Sequence, residues 1–262
     1  MKILVCTKLV PDTSESDVSI DKTGKDIATN GLKFDINEAD NYAVEEAILT
    51  REAKEGEVDV LCMAPQSADV VIRMALAKGC ERALRIEDPR VNVRNPLQAA
   101  KVLAAAAKDQ AYDLIFTGCM SSDDKNMSVG AALAEELGMN HAAMVKHVEI
   151  GDGKVTVQRE LEGGLLEVSE VALPAVLSVQ TGINTPRYAP VRELRKAMKK
   201  ELKVVNLDDI GVDENQVNEA GSKVELLKLY YPEVISNAEM IEGTPEEKAE
   251  QIAFKLVKGG LL

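Results

Sequence analysis

The first half of the chain alternates between short apolar runs and longer amphipathic stretches. Residues 2–8 (KILVCTK), 57–64 and 112–118 are apolar runs of strand length. Residues 39–56 and 96–110 carry apolar side chains at helical spacing. A regular alternation of strand and helix with short connections is typical of a parallel sheet covered by helices on both faces. The pattern therefore predicts an α/β fold with a doubly wound parallel sheet.

Further stretches extend the same alternation. A helix is predicted over 67–79, a strand over 82–88 and another helix over 131–138. The polar, turn-rich stretch 11–37 is too long for a simple connection, so it predicts a small hairpin or lid.

The pattern changes after about residue 143. Residues 143–150, 154–161 and 165–171 read as strands joined by Gly-containing turns, which predicts an antiparallel insertion near 143–171. The apolar run 172–179 is expected to rejoin the main sheet.

The last quarter of the chain has a different character. Residues 187–203 hold seven Lys or Arg against two Glu. Beyond them we predict an extended arm with a strand at 223–231 and a terminal helix over 244–259, which begins with a Thr244/Glu247 capping box. Three parts are thus predicted: an α/β domain over 1–186, a basic segment over 187–203, and an arm with a terminal helix over 204–262.

Composition excludes several classes of protein. The formal net charge is −13, and a surplus of acidic residues disfavours nucleic acid and anionic membranes as partners. No apolar stretch approaches the roughly 20 residues needed to span a bilayer, and the short apolar N-terminus lacks the features of a signal peptide. The four cysteines are far apart and only two histidines are present, so we expect reduced thiols in a cytoplasmic protein without a metal site.

The loop between the strand at 112–118 and the next helix is the best candidate for chemistry. It reads TGCMSSDDKNMSVG over 117–130, and a polar loop that leads into a helix N-terminus is suited to an anion such as phosphate. Gly118 permits close approach of a ligand, and the potential donors are Ser121, Ser122, Asn126 and Ser128. Neither common phosphate fingerprint is present, and Asp123 and Asp124 sit awkwardly beside phosphates. An ordinary polar loop is the alternative.

No catalytic constellation is evident. His141 and His147 are six residues apart and have no neighbouring motif, so they are interpreted as surface or packing residues. The sequence nominates neither a nucleophile nor a general base.

Four stretches resemble the beta (small) subunit of electron-transfer flavoproteins, and the resemblance runs nearly end to end. The strongest is VQRELEGGLLEVSEVALPAVLS (157–178), which is similar to the family signature except at Ser169, where an aliphatic residue is usual. The others are TPRYA (185–189), AVEEA (43–47) and GCMSSDDKNMSVG (118–130).

The resemblance implies a Rossmann-like, adenine nucleotide-binding subunit that forms a heterodimer with a larger, FAD-carrying alpha subunit. In ordinary members of the family this subunit buries AMP. In electron-bifurcating members the same pocket holds the ADP part of a second FAD, whose ring accepts hydride from NADH. By position, the nucleotide contacts fall on Cys6, Asn37, Glu38, Ala39, Asp40, Met63, Gly118, Cys119, Met120, Ser121, Ser122, Asp123, Asp124, Asn126, Met127, Ser128 and Val129.

The stretch 8–25 (KLVPDTSESDVSIDKTGK) favours FAD, because it resembles the form seen in bifurcating and nitrogen-fixation members. It points to NADH oxidation with electron bifurcation, in anaerobic metabolism. Cys119, Met120 and Ser128 depart from the family pattern in the loop, and Glu38 departs from it after Asn37. An electron carrier with structural AMP remains an alternative. A stand-alone universal-stress-type nucleotide-binding protein is an alternative of another class.

The basic segment resembles the family's recognition loop, which docks onto an acyl-CoA-type or other flavin dehydrogenase. Its docking residues would be Arg187, Tyr188, Val191, Arg192 and Arg195, with Val191 as the apolar anchor. A solvated basic helix is the alternative. The arm and terminal helix would pack on the alpha subunit. An electron carrier of this kind needs no catalytic residues of its own, because the flavin supplies the chemistry.

Overall fold

A computed structural model describes residues 1–91, 94–233 and 238–261. Contacts between Cα atoms divide the chain into two compact units, Met1–Leu227 and Lys228–Leu262. Each unit is described by itself.

The first unit contains eleven strands in its described residues. They are β1 (Lys2–Thr7), β2 (Leu9–Pro11), β3 (Phe34–Ile36), β4 (Glu57–Met63), β5 (Arg82–Ile86), β6 (Leu114–Gly118), β7 (Asn140–Ile150), β8 (Lys154–Glu160), β9 (Leu166–Ala172), β10 (Ala175–Val179) and β11 (Leu202–Val205).

Nine of these strands form one sheet in the order β11-β5-β4-β1-β6-β10-β7-β8-β9. Pairing is parallel from β11 through to β7 and antiparallel between β7, β8 and β9. The predicted α/β class and parallel sheet are therefore confirmed. β2 and β3 form a separate antiparallel pair within the polar stretch that was expected to hold a hairpin.

The helices of the first unit cover both faces of the sheet. They are α1 (Glu38–Lys54), α2 (Asp69–Lys78), α3 (Pro96–Ala107), α4 (Val129–Leu137) and α5 (Val191–Ala197). Side chains of β1 alternate between two cores: Ile3 and Val5 are buried with α1 and α2, whereas Leu4 and Cys6 are buried with α3 and α4. This period of two, with both sets buried, explains why β1 reads as a continuous apolar run.

Local signals set several helix ends as the sequence indicates. The Asn95 side chain caps α3 by accepting hydrogen bonds from the backbone N–H groups of Leu97 and Gln98, and Pro96 occupies the first turn. Gly79 ends α2 with a φ of 146°, a value that only glycine adopts readily.

The direction of the sheet reverses beside β1. The chain passes from β1 to β4 and β5 on one side, and β6 then returns to the other side of β1. Connections therefore leave the carboxyl ends of β1 and β6 in opposite directions, which opens a crevice between them.

Two predictions for the C-terminal part were wrong. Residues 223–231 form no strand, and Leu227 and Tyr230 are 75% and 72% exposed. Residues 202–205 instead form β11, which pairs with β5 at the sheet edge. Residues 204–227, predicted as the start of an extended arm, belong to the first unit, because Val205, Leu207 and Val217 are buried in its core.

In the described residues of the second unit there is one helix, α6 (Pro245–Lys258). Its predicted capping box is confirmed: the Thr244 hydroxyl accepts from the Glu247 backbone N–H, and the Glu247 carboxylate accepts from the Thr244 backbone N–H. No residue of α6 is buried, and Phe254 and Val257 remain 66% and 63% exposed. Across the described ranges, no helix is both long and apolar enough to span a bilayer.

Candidate functional site

The crevice at the carboxyl ends of β1 and β6 contains most of the residues predicted to bind a cofactor. Thirteen of the predicted residues line it: Cys6, Asn37, Asp40, Met63, Gly118, Cys119, Met120, Ser121, Asp124, Asn126, Met127, Ser128 and Val129. The predicted residues Glu38, Ala39, Ser122 and Asp123 do not line it. Sequence reasoning missed Thr7, Lys8, Arg94, Pro96, Ala99, Leu103 and Thr117.

Asn37 holds the loop that follows β6. Its side chain is buried, its Nδ2 donates to the carbonyl of Met120 (2.9 Å), and its Oδ1 accepts from the backbone N–H of Ser122 (3.1 Å). Ser122 thus contributes through its backbone, which explains why its side chain is absent from the crevice wall. The position of the loop is thus set by the residue that directly precedes α1.

Asp40 joins the ends of both strands beneath this loop. Its carboxylate accepts from the backbone N–H groups of Lys8 (2.8 Å) and Gly118 (3.0 Å). Burial raises the pKa of Asp40 to about 7, although the hydrogen bonds from Asn37, Lys8 and Gly118 oppose the shift. The first turn of α1 therefore fixes the geometry of the crevice floor.

Two glycines permit the close packing around the crevice. A Cβ atom on Gly118 would lie 2.3 Å from Asp40 Oδ1. A Cβ atom on Gly130 would lie 2.0 Å from Ser178 Oγ. Any larger residue at these positions forces neighbouring groups to move.

Lys8 forms ion pairs with Asp123 and Asp124, the two loop aspartates whose negative charges would otherwise oppose a phosphate. Its ammonium lies 2.7 Å from Asp123 Oδ2 and 2.5 Å from Asp124 Oδ2. Burial alone would lower the pKa of Lys8, but the hydrogen bonds to both carboxylates outweigh it and raise that pKa. The aspartates are thereby paired with a cation, so they do not present two unopposed negative charges to the crevice.

The N-terminus of α4 reaches the wall of the crevice. No side chain caps this helix at Ser128, and Ser128 and Val129 line the crevice. Lys125 and Met127, both with a φ of 53°, turn the preceding loop sharply. Uncapped N–H groups at a helix N-terminus favour a negatively charged ligand.

His141, interpreted from the sequence as a surface or packing residue, lies near this site in a chain of hydrogen bonds. Thr117 Oγ1 and Ser178 Oγ are 3.0 Å apart, and Ser178 Oγ is 3.1 Å from His141 Nε2. Burial lowers the pKa of His141, which favours the neutral ring in this chain of hydrogen bonds.

Sulfur atoms make up much of the apolar lining, which is contributed by Cys6, Met63, Cys119, Met120 and Met127. Burial raises the pKa of both Cys6 and Cys119, so these thiols stay protonated and lack the character of a nucleophile. Among the lining residues that the structure describes, none is aromatic.

The predicted docking residues differ in how exposed they are. Tyr188 and Val191 are 80% and 59% exposed, and Arg192 and Arg195 are exposed. Arg187 is different, because its guanidinium is engaged by Glu45 and Glu52 of α1.

Comparisons with known proteins agree on one family. A model of the electron transfer flavoprotein domain matches residues 25–210. The chain is 38% identical to "Electron transfer flavoprotein subunit beta" of Methylophilus methylotrophus over 256 residues, covering 96% of each chain. It is 35% identical to the protein of the same name from Thermoanaerobacterium thermosaccharolyticum, covering 98% of each chain. It is also 32% identical to "Caffeyl-CoA reductase-Etf complex subunit CarD" of Acetobacterium woodii, covering 98% of each chain.

Proposed function

Because this chain belongs to the electron transfer flavoprotein family, as a beta subunit, we propose that its crevice binds the adenosine-phosphate part of a nucleotide cofactor. Membership implies a role in electron transfer together with an alpha subunit. The nucleotide would stand between the carboxyl ends of β1 and β6, beside the loop that leads into α4.

The uncapped N-terminus of α4 is the observation that carries this proposal. This helix begins directly after Ser128, which lines the crevice. Ser121 and Asn126 line the same crevice and carry a hydroxyl and an amide group. These groups offer hydrogen-bond donors to phosphate oxygens. Lys8 lies within ion-pair distance of Asp123 and Asp124 and offsets one of their two negative charges.

The chain's own residues act by binding and orienting. Asn37 holds the loop carbonyl of Met120 and the N–H of Ser122, while Asp40 fixes the backbone at Lys8 and Gly118. A bound flavin would supply the redox chemistry. These contacts let the loop donors stay in place without reorganisation when the nucleotide binds.

FAD is the first candidate nucleotide, in a bifurcating heterodimer that oxidises NADH. The resemblance of residues 8–25 to bifurcating-type members supports it, and Lys8, the first residue of that stretch, lines the crevice.

AMP is the second candidate, and the crevice lining favours it. The described lining residues include no aromatic side chain on which an isoalloxazine ring could stack, whereas Cys and Met side chains suit an adenine ring. With AMP the protein is a simple electron carrier whose nucleotide is structural.

Extraction of nucleotides from the purified heterodimer decides between these candidates. Two FAD per heterodimer, one of them reduced directly by NADH, is the outcome expected for the bifurcating type. One FAD and one AMP identifies the simple carrier. A heterodimer that releases only the alpha subunit's FAD contradicts the nucleotide site in this crevice.

We also propose that residues 187–203 dock onto a flavin dehydrogenase, and we call them the docking segment. The segment contains seven basic residues against two acidic ones and exposes Val191, Arg192 and Arg195, so it fits a partner with an acidic rim and an apolar recess. Opposite charges would steer encounter, and the apolar contact would fix the register.

A further inference from the structure

The start of the docking segment is attached to α1 by two carboxylates. Arg187 Nε lies 2.9 Å from Glu45 Oε1, and the Arg187 backbone N–H donates to Glu45 Oε2 (2.8 Å). The two terminal nitrogens of the same guanidinium donate to both oxygens of Glu52, at 2.7 and 3.0 Å. A guanidinium bound at both edges has no remaining freedom to rotate, so it fixes the backbone that carries it.

The helix geometry explains how one side chain reaches both acids. Glu45 and Glu52 are seven residues apart, which is about two turns of an α-helix, so they lie on one face of α1. Glu45 is only 4% exposed, and a buried carboxylate requires a partner of opposite charge. Arg187 lowers the pKa of Glu52, which keeps the second carboxylate ionised.

A second attachment precedes the first. Asn184 Nδ2 donates to the carbonyl of Tyr42 (3.1 Å) and to Glu46 Oε2 (3.0 Å), both on α1. Ala189 is 1% exposed and is packed into the core that α1 and α2 share. Residues 184–190 form no helix or strand, so their conformation depends on these contacts.

Tyr188 and Val191 differ in how their neighbours are held. Tyr188 lies between the fixed Arg187 and the buried Ala189, and it is 80% exposed. Val191 follows two residues later as the first residue of α5. Tyr188 is therefore flanked by residues that hold it in place, whereas Val191 is carried by α5 between the exposed Pro190 and Arg192.

We propose that Glu45 and Glu52 are positioning residues for docking: through Arg187 they hold Tyr188 and Val191 in a preformed arrangement, ready for a dehydrogenase with an acidic rim. This inference rests on the docking role proposed above. A preformed segment binds more tightly than one that must become ordered on contact, because the entropy of ordering is lost before the partner arrives.

The test uses the intact heterodimer and three variants, Glu52→Gln, Arg187→Lys and the double variant. Glu55→Gln serves as the control, since it removes a nearby carboxylate but leaves the Arg187 contacts intact. Hydrogen exchange of the backbone amides over 184–195 is measured first. We expect at least tenfold faster exchange there in each variant, wild-type exchange in the control, and unchanged nucleotide content throughout.

Electron transfer is then measured with a flavin dehydrogenase that reacts with the wild-type heterodimer, and with a small dye as acceptor. In the variants we expect the KM for the heterodimer to rise at least fivefold with little change in kcat, and the reaction with the dye to stay normal. The rise in KM in the double variant should be close to that in Arg187→Lys. Wild-type exchange in the variants overturns the positioning role. Faster exchange with an unchanged KM overturns its link to docking.

The two proposals fail in distinguishable ways. If Val191→Asp leaves the KM unchanged, the docking role of the segment itself is wrong, whatever the exchange data show. If Val191→Asp raises the KM but Glu52→Gln does not, the segment docks without help from α1.

Discussion

The loop after β6 and residues 187–190 at the start of the docking segment both form no helix or strand, yet they are held in opposite ways. The loop is fixed through its backbone by Asn37 and Asp40, and its functional groups turn inward to the crevice. The docking segment is fixed through the side chain of Arg187, and Tyr188 and Val191 turn outward. A change in the loop should therefore alter both stability and ligand binding, whereas a change on the outer face of the segment should alter partner recognition alone.

The largest effect is expected from Gly118→Ala. The new Cβ atom would lie 2.3 Å from Asp40 Oδ1, so the variant should lose about 3 kcal/mol of unfolding free energy and most of its nucleotide. Denaturant unfolding and nucleotide extraction measure the two losses. Gly138→Asn is the control, because that position has a φ of 63° that Asn tolerates and nothing within 4 Å of a Cβ. Equal behaviour of the two variants would refute the steric argument.

The next effect is a pH dependence that originates at Asp40. Its folded-state pKa, about 7, lies above the ordinary value of 3.8 for an aspartate, so folding favours the protonated form. The contribution of Asp40 to the unfolding free energy should therefore fall as pH rises from about 4 to about 7, by at most about 1.4 kcal/mol per pH unit.

Asp40→Asn isolates this contribution, because it cannot titrate. The difference in unfolding free energy between wild type and variant should change across that pH range in favour of the wild type at low pH. A difference that stays constant with pH would show that Asp40 does not titrate there.

A smaller effect is expected from Ser122→Pro. Proline removes the N–H that donates to buried Asn37 Oδ1, which should cost about 1–3 kcal/mol and weaken nucleotide retention. Ser122→Ala keeps the N–H and should behave as wild type in the same unfolding and extraction measurements. Loss of nucleotide in both variants would instead assign the role to the hydroxyl.

The smallest effect on stability is expected from Val191→Asp. The residue is 59% exposed, so unfolding free energy should change by about 0.5 kcal/mol or less, while the KM in electron transfer to the dehydrogenase should rise about tenfold. Leu97→Asp, at a residue 58% exposed on α3, is the matched control. Similar rises in both variants would indicate a general charge effect.

Periodicity predicted the central sheet well because its strands are buried on both faces and its helices have strong ends. Residues 2–8 and Asn95-Pro96 carry this information locally. Residues 223–231 look like a strand in composition, but strand formation requires a neighbour that local sequence does not specify. β11 is the opposite case, a strand that the sequence pattern did not predict. It is only four residues long, and it is defined by its pairing with β5.

The candidate site was only partly predictable for the same reason. The loop over 118–130 could be predicted from its composition and from the family resemblance. Arg94, Pro96, Ala99 and Leu103 reach the crevice because α3 lies against it, a tertiary fact without a local signal. Lys8 lies in the stretch 8–25 that resembles bifurcating members. Its hydrogen bonds to Asp123 and Asp124 join residues more than a hundred positions apart, so no local pattern predicts them.

The path of the chain around the docking segment has a mechanical consequence. The segment leaves the sheet at β10, in its interior, and returns at β11, on its far edge beside β5. A pulling force at Val191, as a departing partner would exert, is shared by these two anchored ends. The segment cannot peel away from one end, so repeated cycles of association and release should leave it intact.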